Sequence, residues 1–328
     1  MRHIVGILGT LFLVVSPLLG SAFPTEDGPT LFSRGDYKGA VRAFEAMRRL
    51  DPESRLLYGT ALLKVGRFGE ARAILQRYLQ DNVASPDAWL QLGLSYFGDR
   101  SFDSAREALR RSLELDPGNA EVCRYLGRVE VARGDAAAAE RALARALGIQ
   151  PEDSEALYLL GRLYQSEGRL VEAAEYLGRA VAFAPGSSRS RAHLGTVLYG
   201  LGRADEAEEE LKRAVELNDG ADPGDFVPHL EYGIFLQRYN RLEESAGQLE
   251  KAMRLAPNDV ESHFELARTR FRLGRKEETR NLLEKGLRLA PQDARLHYLL
   301  SQVCFLLGDR SCGLKHARLS ELYRESGG

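Results

Sequence analysis

The sequence predicts an all-α fold, a solenoid of about nine stacked antiparallel helix pairs, and three observations lead there. The chain repeats itself: Gly59, Gly93, Gly127, Gly161 and Gly195 are each 34 residues apart, and Ala71, Ala105, Ala139, Ala173 and Ala207 keep the same step. Each unit holds two apolar stripes of helical period, split by a turn containing Gly and closed by a Pro such as Pro117, Pro151 or Pro185. The composition agrees, since 44% hydrophobic and 28% charged residues with few β-branched runs suit amphipathic helices better than sheet or disorder.

Residues 1–22 come first. Arg2 and His3 precede an apolar run from Ile4 to Val15, then Pro17 and the small residues Gly20, Ser21 and Ala22. This order describes a secretory signal peptide cut after Ala22, or else an uncleaved N-terminal anchor. No Cys follows the run, so a bacterial lipoprotein anchor is excluded. The excess of Arg over Lys and the absence of an Asn-x-Ser/Thr sequon fit a bacterial envelope. An exported protein is therefore expected, periplasmic or secreted, with an inner-membrane anchored form as the alternative. Nothing later in the chain is apolar for long enough to span a bilayer.

Residues 23–34 form a short lead-in, and residues 35–221 hold the first half of the array. The register slips by four residues between Gly220 and Asp225, so 222–225 is read as an insertion, a bend or an exposed loop between two halves. The period resumes over 226–326 with Gly233, Ser245 and Pro257, then Ala267, Thr279 and Pro291. In the last unit Ser301 stands for the usual Gly and Gly313 for the usual Ala, as in a C-terminal cap.

One unit shows the physics. From Ser154, Leu157, Leu160, Gly161 and Tyr164 share a helical stripe, with Asp153 or Ser154 as N-cap. Gly168 tolerates the left-handed turn, and Ala173, Ala174, Leu177 and Ala180 form a second stripe that ends before Pro185. Gly161 and Ala173 fall where the two helices must pass closely. A lone hairpin cannot bury such a face, so stacking on its neighbours is required.

These residues resemble the tetratricopeptide repeat (TPR) family in its exported bacterial type. The family's Trp, Leu-Gly, Tyr, Ala, Phe, Ala and Pro pattern is met by Trp89, Leu92-Gly93, Tyr96, Ala105, Leu109, Ser112 and Pro117. Other units match through Leu126-Gly127, Ala139, Leu143, Ala146 and Pro151. The resemblance covers nearly everything from about residue 30 to 325 and departs at the ends, where the first unit has a short or missing first helix. It implies a right-handed superhelical solenoid that binds a protein or peptide partner in a concave groove lined by the first helix of each hairpin. An accessory role in envelope polysaccharide or secretion machinery, recognising a glycan or an enzyme, is the alternative.

Carrying the groove positions over places Arg124 and Arg128, Tyr158 and Arg162, Tyr199, Phe264, Arg268 and Phe271, and Tyr298 on that face. The centre is expected to be basic and the ends apolar or aromatic, the usual make-up of interaction hot spots. The chaperone-binding slots hold Leu56 and Thr60 or Leu90 and Leu94 instead of Lys and Asn, which argues against that subfamily's function.

Little is left over for chemistry. There is no phosphate loop, GxSxG, HExxH or CxxC, and neither enzymatic activity nor a cofactor is expected. His229, His263 and His297 share one repeat slot; a ladder spreads ligands, so no metal site is expected. Cys304 and Cys312 flank the final turn and are either bonded or two small buried thiols. Two Arg-Gly-Asp triplets, at Arg34–Asp36 and Arg133–Asp135, fall at hairpin turns and read as turn chemistry. The net charge of −2 gives no reason to expect a nucleic-acid partner, and nothing fixes the oligomeric state.

Overall fold

A computed structural model describes residues 26–221 and 224–326. The segment read as a signal peptide or anchor lies outside the described residues. Among those described there are 18 helices and no strand.

The chain divides into two compact units at Gly118 and Asn119. The first contains α1 (Gly28–Ser33), α2 (Tyr37–Ala46), α3 (Pro52–Lys64), α4 (Phe68–Asp81), α5 (Pro86–Gly98) and α6 (Phe102–Leu115). The second contains α7 (Ala120–Arg133), α8 (Ala136–Ile149), α9 (Ser154–Ser166), α10 (Leu170–Phe183), α11 (Ser188–Gly200) and α12 (Ala204–Ala221). It continues with α13 (Val227–Arg238), α14 (Leu242–Leu255), α15 (Val260–Arg272), α16 (Lys276–Leu289), α17 (Ala294–Leu306) and α18 (Arg310–Ser326). Each odd helix pairs with the even helix after it. The first helix of the first pair is present but only six residues long.

The repeated Gly is a packing device. A Cβ built on Gly161 would lie 2.7 Å from Leu177 Cγ and 3.1 Å from the Leu177 backbone nitrogen, too near for any other residue without movement. The same contact joins Gly59 to Leu75, Gly93 to Leu109, Gly127 to Leu143, Gly195 to Leu211 and Gly233 to Leu249. Every one of these leucines is fully buried, which stabilises each hairpin by about 1.5–3 kcal/mol per side chain. The hairpin turn repeats as well. Gly35, Gly66, Gly134, Gly168, Gly202, Gly274 and Gly308 take φ between 75° and 83°, and Arg100 and Asn240 occupy the same slot at 58° and 59°.

Except at α13, the first helix of each pair from α3 onwards starts at a side-chain cap. Asp51, Ser85, Asn119, Asp153, Ser187, Asp259 and Asp293 each accept a hydrogen bond from a backbone N–H of the first turn. At the register slip, residues 222 and 223 lie outside the described residues. Helix α12 runs 18 residues where α8 and α10 run 14, so the four extra residues are taken up as about one more helical turn. Gly224 is exposed, but Asp225 is buried in the cap slot, accepting from Val227 N at 3.1 Å and from Arg189 Nε at 2.7 Å. Asp219, on the added turn, reaches Lys251 Nζ at 2.9 Å and His229 Nε2 at 3.1 Å.

Candidate functional site

Within the second unit, successive first helices touch, α7 to α9, α9 to α11, and so on to α17, while no two successive second helices do. The stack therefore closes up on the first-helix side, and that face is the inner one. The residues carried over from the groove pattern fall on it, but they are not equivalent.

At the N-terminal end of the unit, Arg124 is half-buried, with Nε 3.2 Å from Asp153 Oδ2 and its guanidinium 5.3 Å over the Tyr125 ring. Since Asp153 also caps α9, Arg124 ties one hairpin to the next. Arg128 is half-buried, with its guanidinium 5.5 Å from the same ring. The basic centre is thus partly neutralised, and of these arginines it is Arg162 that is exposed.

Tyr158, expected on the groove surface, is only 7% exposed. It packs against His193 with ring centroids 5.7 Å apart, and the Arg162 guanidinium covers it at 5.9 Å. Burial pushes its hydroxyl above the usual tyrosine range. His193 is equally buried, and burial together with the Arg162 and Arg189 charges pushes it down to about 3. Beside it, Thr196 Oγ1 donates to Glu231 Oε2 at 2.9 Å, and burial raises the Glu231 carboxyl above its ordinary range. Tyr199 is half-buried in a cluster with Phe235 at 5.7 Å and Tyr239 at 6.1 Å.

Further along, a buried polar network joins α13 to α15. Gln237, 1% exposed, has its amide nitrogen 2.6 Å from Thr269 Oγ1 and 2.9 Å from Glu265 O. Its Oε1 accepts from Arg268 Nη2 at 2.6 Å, and Arg268 also pairs with Glu265 at 2.7 Å. Burial raises the Glu265 carboxyl although Arg268 opposes the shift. Each of these groups is satisfied, which is the condition for a buried network to specify one register.

The network backs a cavity of about 640 Å³. Phe264, Arg268 and Phe271 line it from α15, Arg295, Tyr298, Leu299 and Gln302 from α17, and Ser320 and Arg324 from α18. The structure thus brings together four of the residues the sequence singled out, Phe264, Arg268, Phe271 and Tyr298. Tyr298 is 58% exposed. Arg295, Ser320 and Arg324 were not anticipated. Arg295 falls outside the carried-over groove positions, and α18 is a second helix, which the pattern assigns to the outer side. Arg295 lies 4.8 Å over the Phe264 ring and bonds Glu261 Oε2 at 2.9 Å and Asp293 Oδ2 at 3.0 Å, which hold the guanidinium more firmly protonated.

The remaining candidates have local roles. His229, His263 and His297 are buried, and each meets different partners: Gln248 and Asp219, the Asp259 carbonyl, and His316 with the Pro291 carbonyl. Among the described residues no group of three His, Cys, Asp or Glu side chains could hold a metal. Cys304 and Cys312 form a disulfide across the last turn, with Cα atoms 5.8 Å apart, and Cys123 is a buried free thiol raised by that burial. In both Arg-Gly-Asp triplets the Gly supplies the positive φ and the Asp caps the next helix. Among the described residues no helix is long and apolar enough to cross a membrane.

Comparison with known proteins follows this geometry. Among solved structures, the chain is similar to one titled as the APC/C hetero-tetramer Cut9-Hcn1, with 18% identity and a TM-score of 0.66 over 84% of this chain and 54% of that one. It thus spans about half the length of that chain. It is also similar to Pseudomonas aeruginosa pilF, with 23% identity, a TM-score of 0.55, and coverage of 64% of this chain and 93% of that one. MamA matches at 25% identity with a TM-score of 0.42, over 60% of this chain and 96% of that one. No curated protein matches the chain. Residues 236–303 match the model described as tetratricopeptide repeat, and residues 27–227 match that of the cilia and flagella-associated protein 70 C-terminal domain. Repeat period, paired helices and both family matches coincide, and the chain belongs to the tetratricopeptide repeat family, over residues 27–227 in the form described for that C-terminal domain.

Proposed function

We propose that this protein is an interaction scaffold whose second unit binds a segment of another protein on its inner, first-helix face. The fold supports a protein-interaction role in general terms. The observation that carries the finer reading is the cavity between α15 and α17, where an exposed tyrosine, two half-buried phenylalanines and three arginines converge. Aromatic and Arg side chains around a desolvated pocket are the usual anchors of an interface. A glycan-binding accessory role would need open ring faces. Tyr158 is buried, Tyr199 is covered by Arg238 and Phe264 by Arg295, which leaves Tyr298 of these rings, so the protein-binding reading is favoured.

The test is quantitative affinity purification with the full chain as bait, comparing wild type, Phe271→Ala/Tyr298→Ala and an outer-face control, Val171→Asp. Partners lost only with the inner-face variant support the reading. Partners kept by that variant but lost with the control would overturn it. The apolar order of residues 4–22 supports export of the protein. Mass spectrometry of the mature chain is then expected to find Phe23 at the N-terminus, and an intact Met1 in the envelope fraction would count for an anchor instead.

A further inference from the structure

Resting on that reading, we propose that the cavity between α15, α17 and α18 is the anchor point for an internal acidic segment of a partner protein, one in which an aromatic or leucine side chain stands next to an Asp or Glu. The argument is from the lining. Its floor is apolar, made by Phe264, Phe271 and Leu299 under the exposed ring of Tyr298. A volume of about 640 Å³ is of the size that takes a ligand group rather than a water molecule. Among the described residues its polar lining carries three arginines and no carboxylate.

The three arginines differ. Arg268 is balanced by Glu265 and Arg295 by Glu261 and Asp293, all of which stand outside the cavity lining. Arg324 is exposed and has no ion pair among the described residues. An occupant with an apolar side chain alone would leave that charge uncompensated, and a purely acidic one would leave the aromatic floor uncovered. An occupant carrying both matches the cavity in shape and charge. The cavity is open to solvent rather than enclosed, with Gln302 in its lining. A segment running through it in extended form is accommodated, which favours an internal stretch over a chain end.

The experiment uses the full chain and a phage library of random dodecapeptides displayed without a free C-terminus. Enriched peptides are then synthesised as amides and titrated by fluorescence anisotropy. The expected result is enrichment of sequences pairing Phe, Tyr, Trp or Leu with Asp or Glu. Binding is expected to weaken at least tenfold with Tyr298→Ala and with Arg324→Glu, to survive Arg324→Lys, and to be regained by Arg324→Glu when the peptide acid is exchanged for Lys. Both positions are exposed, so the substitutions leave the core intact. Enriched peptides without an acid, or ones indifferent to Tyr298 and Arg324 but lost with Arg162→Glu, would overturn the anchor while leaving inner-face binding in place. Peptides that bind only with a free C-terminal carboxylate would also overturn it. If no peptide is enriched, both readings fail together.

Discussion

Acidification from pH 7 to pH 5 is expected to destabilise the second unit by about 2 kcal/mol through a single ring, that of His193. The ring is 7% exposed, its Nδ1 has no hydrogen-bond partner among the described residues, and Tyr158 lies 5.7 Å away. Burial, with the charges of Arg162 and Arg189 added, depresses its pKa from 6.5 to about 3. The sign follows from which state takes the proton. Above pH 6.5 the ring is neutral both folded and unfolded, and its contribution is fully present. Below 6.5 the unfolded chain binds a proton that the folded chain refuses, so stability is lost at about 1.4 kcal/mol per pH unit until about pH 3. Reaching pH 5 crosses about one and a half such units, which gives the figure of about 2 kcal/mol. The assay is urea unfolding followed by far-UV circular dichroism at both pH values, for wild type and His193→Leu. Leucine is the residue of the same slot one unit earlier, at Leu159, and three units later, at Leu299. Repeat arrays depart from two-state behaviour, so the quantity compared is the difference between the two proteins. An equal fall in both would refute the reasoning, because every other titrating group is common to them.

Three further predictions concern the hairpins. Gly195→Ala places a methyl group 2.6 Å from Leu211 Cγ and 3.0 Å from the Ala207 carbonyl oxygen. Overpacking of this kind costs about 1–3 kcal/mol, and the better helix propensity of Ala returns about 1, so a net loss is expected in thermal denaturation; a rise in melting temperature would contradict it. Arg100→Gly removes a non-glycine residue from φ 58° and is expected to stabilise the first unit by about 1 kcal/mol, measured as a shift in urea midpoint. Breaking the Cys304–Cys312 bond by Cys312→Ser frees a short loop worth about 2–3 kcal/mol. Hydrogen exchange should then rise in α17 and α18 and stay unchanged in α9 to α12, and a uniform rise would argue against a local clip.

The hairpins were readable because their determinants lie close in sequence. A Gly and the Leu sixteen positions later meet within one unit, as do the turn Gly and the cap Asp, so a repeated spacing exposes them. The site was readable only in part. The pattern names the helix face on which Tyr158 and Tyr298 both lie, but what covers each ring comes from the next hairpin. His193 closes over Tyr158, while Tyr298 stays open. The ties of the arginines are equally hidden, since Arg268 finds Gln237 and Arg295 finds Glu261 from more than 30 residues away. At the four-residue slip the sequence pattern does not say where the extra length goes. Helix α12 takes one more helical turn, to Ala221, and the ties of Asp219 to Lys251 and of Asp225 to Arg189 on either side come from other hairpins.

The contact between each repeated Gly and its Leu has a consequence for how such a chain can change. The small residue and the large one that fills its gap belong to the same hairpin, so each hairpin carries its own volume balance. Most share one solution, and Ala267 with Leu283 is a looser version of it. The last hairpin is small at both positions, with Ser301 and Ala317 at the same spacing. Hairpins can therefore be exchanged whole, as cassettes cut at the capped junctions. A crossover at an inner turn is also tolerated among the middle units, but one that joins the first helix of the final hairpin to any of the second helices from α4 to α16 sets a serine against a leucine. The closing hairpin, which also builds the arginine-rimmed cavity, is thereby kept from blending with the rest.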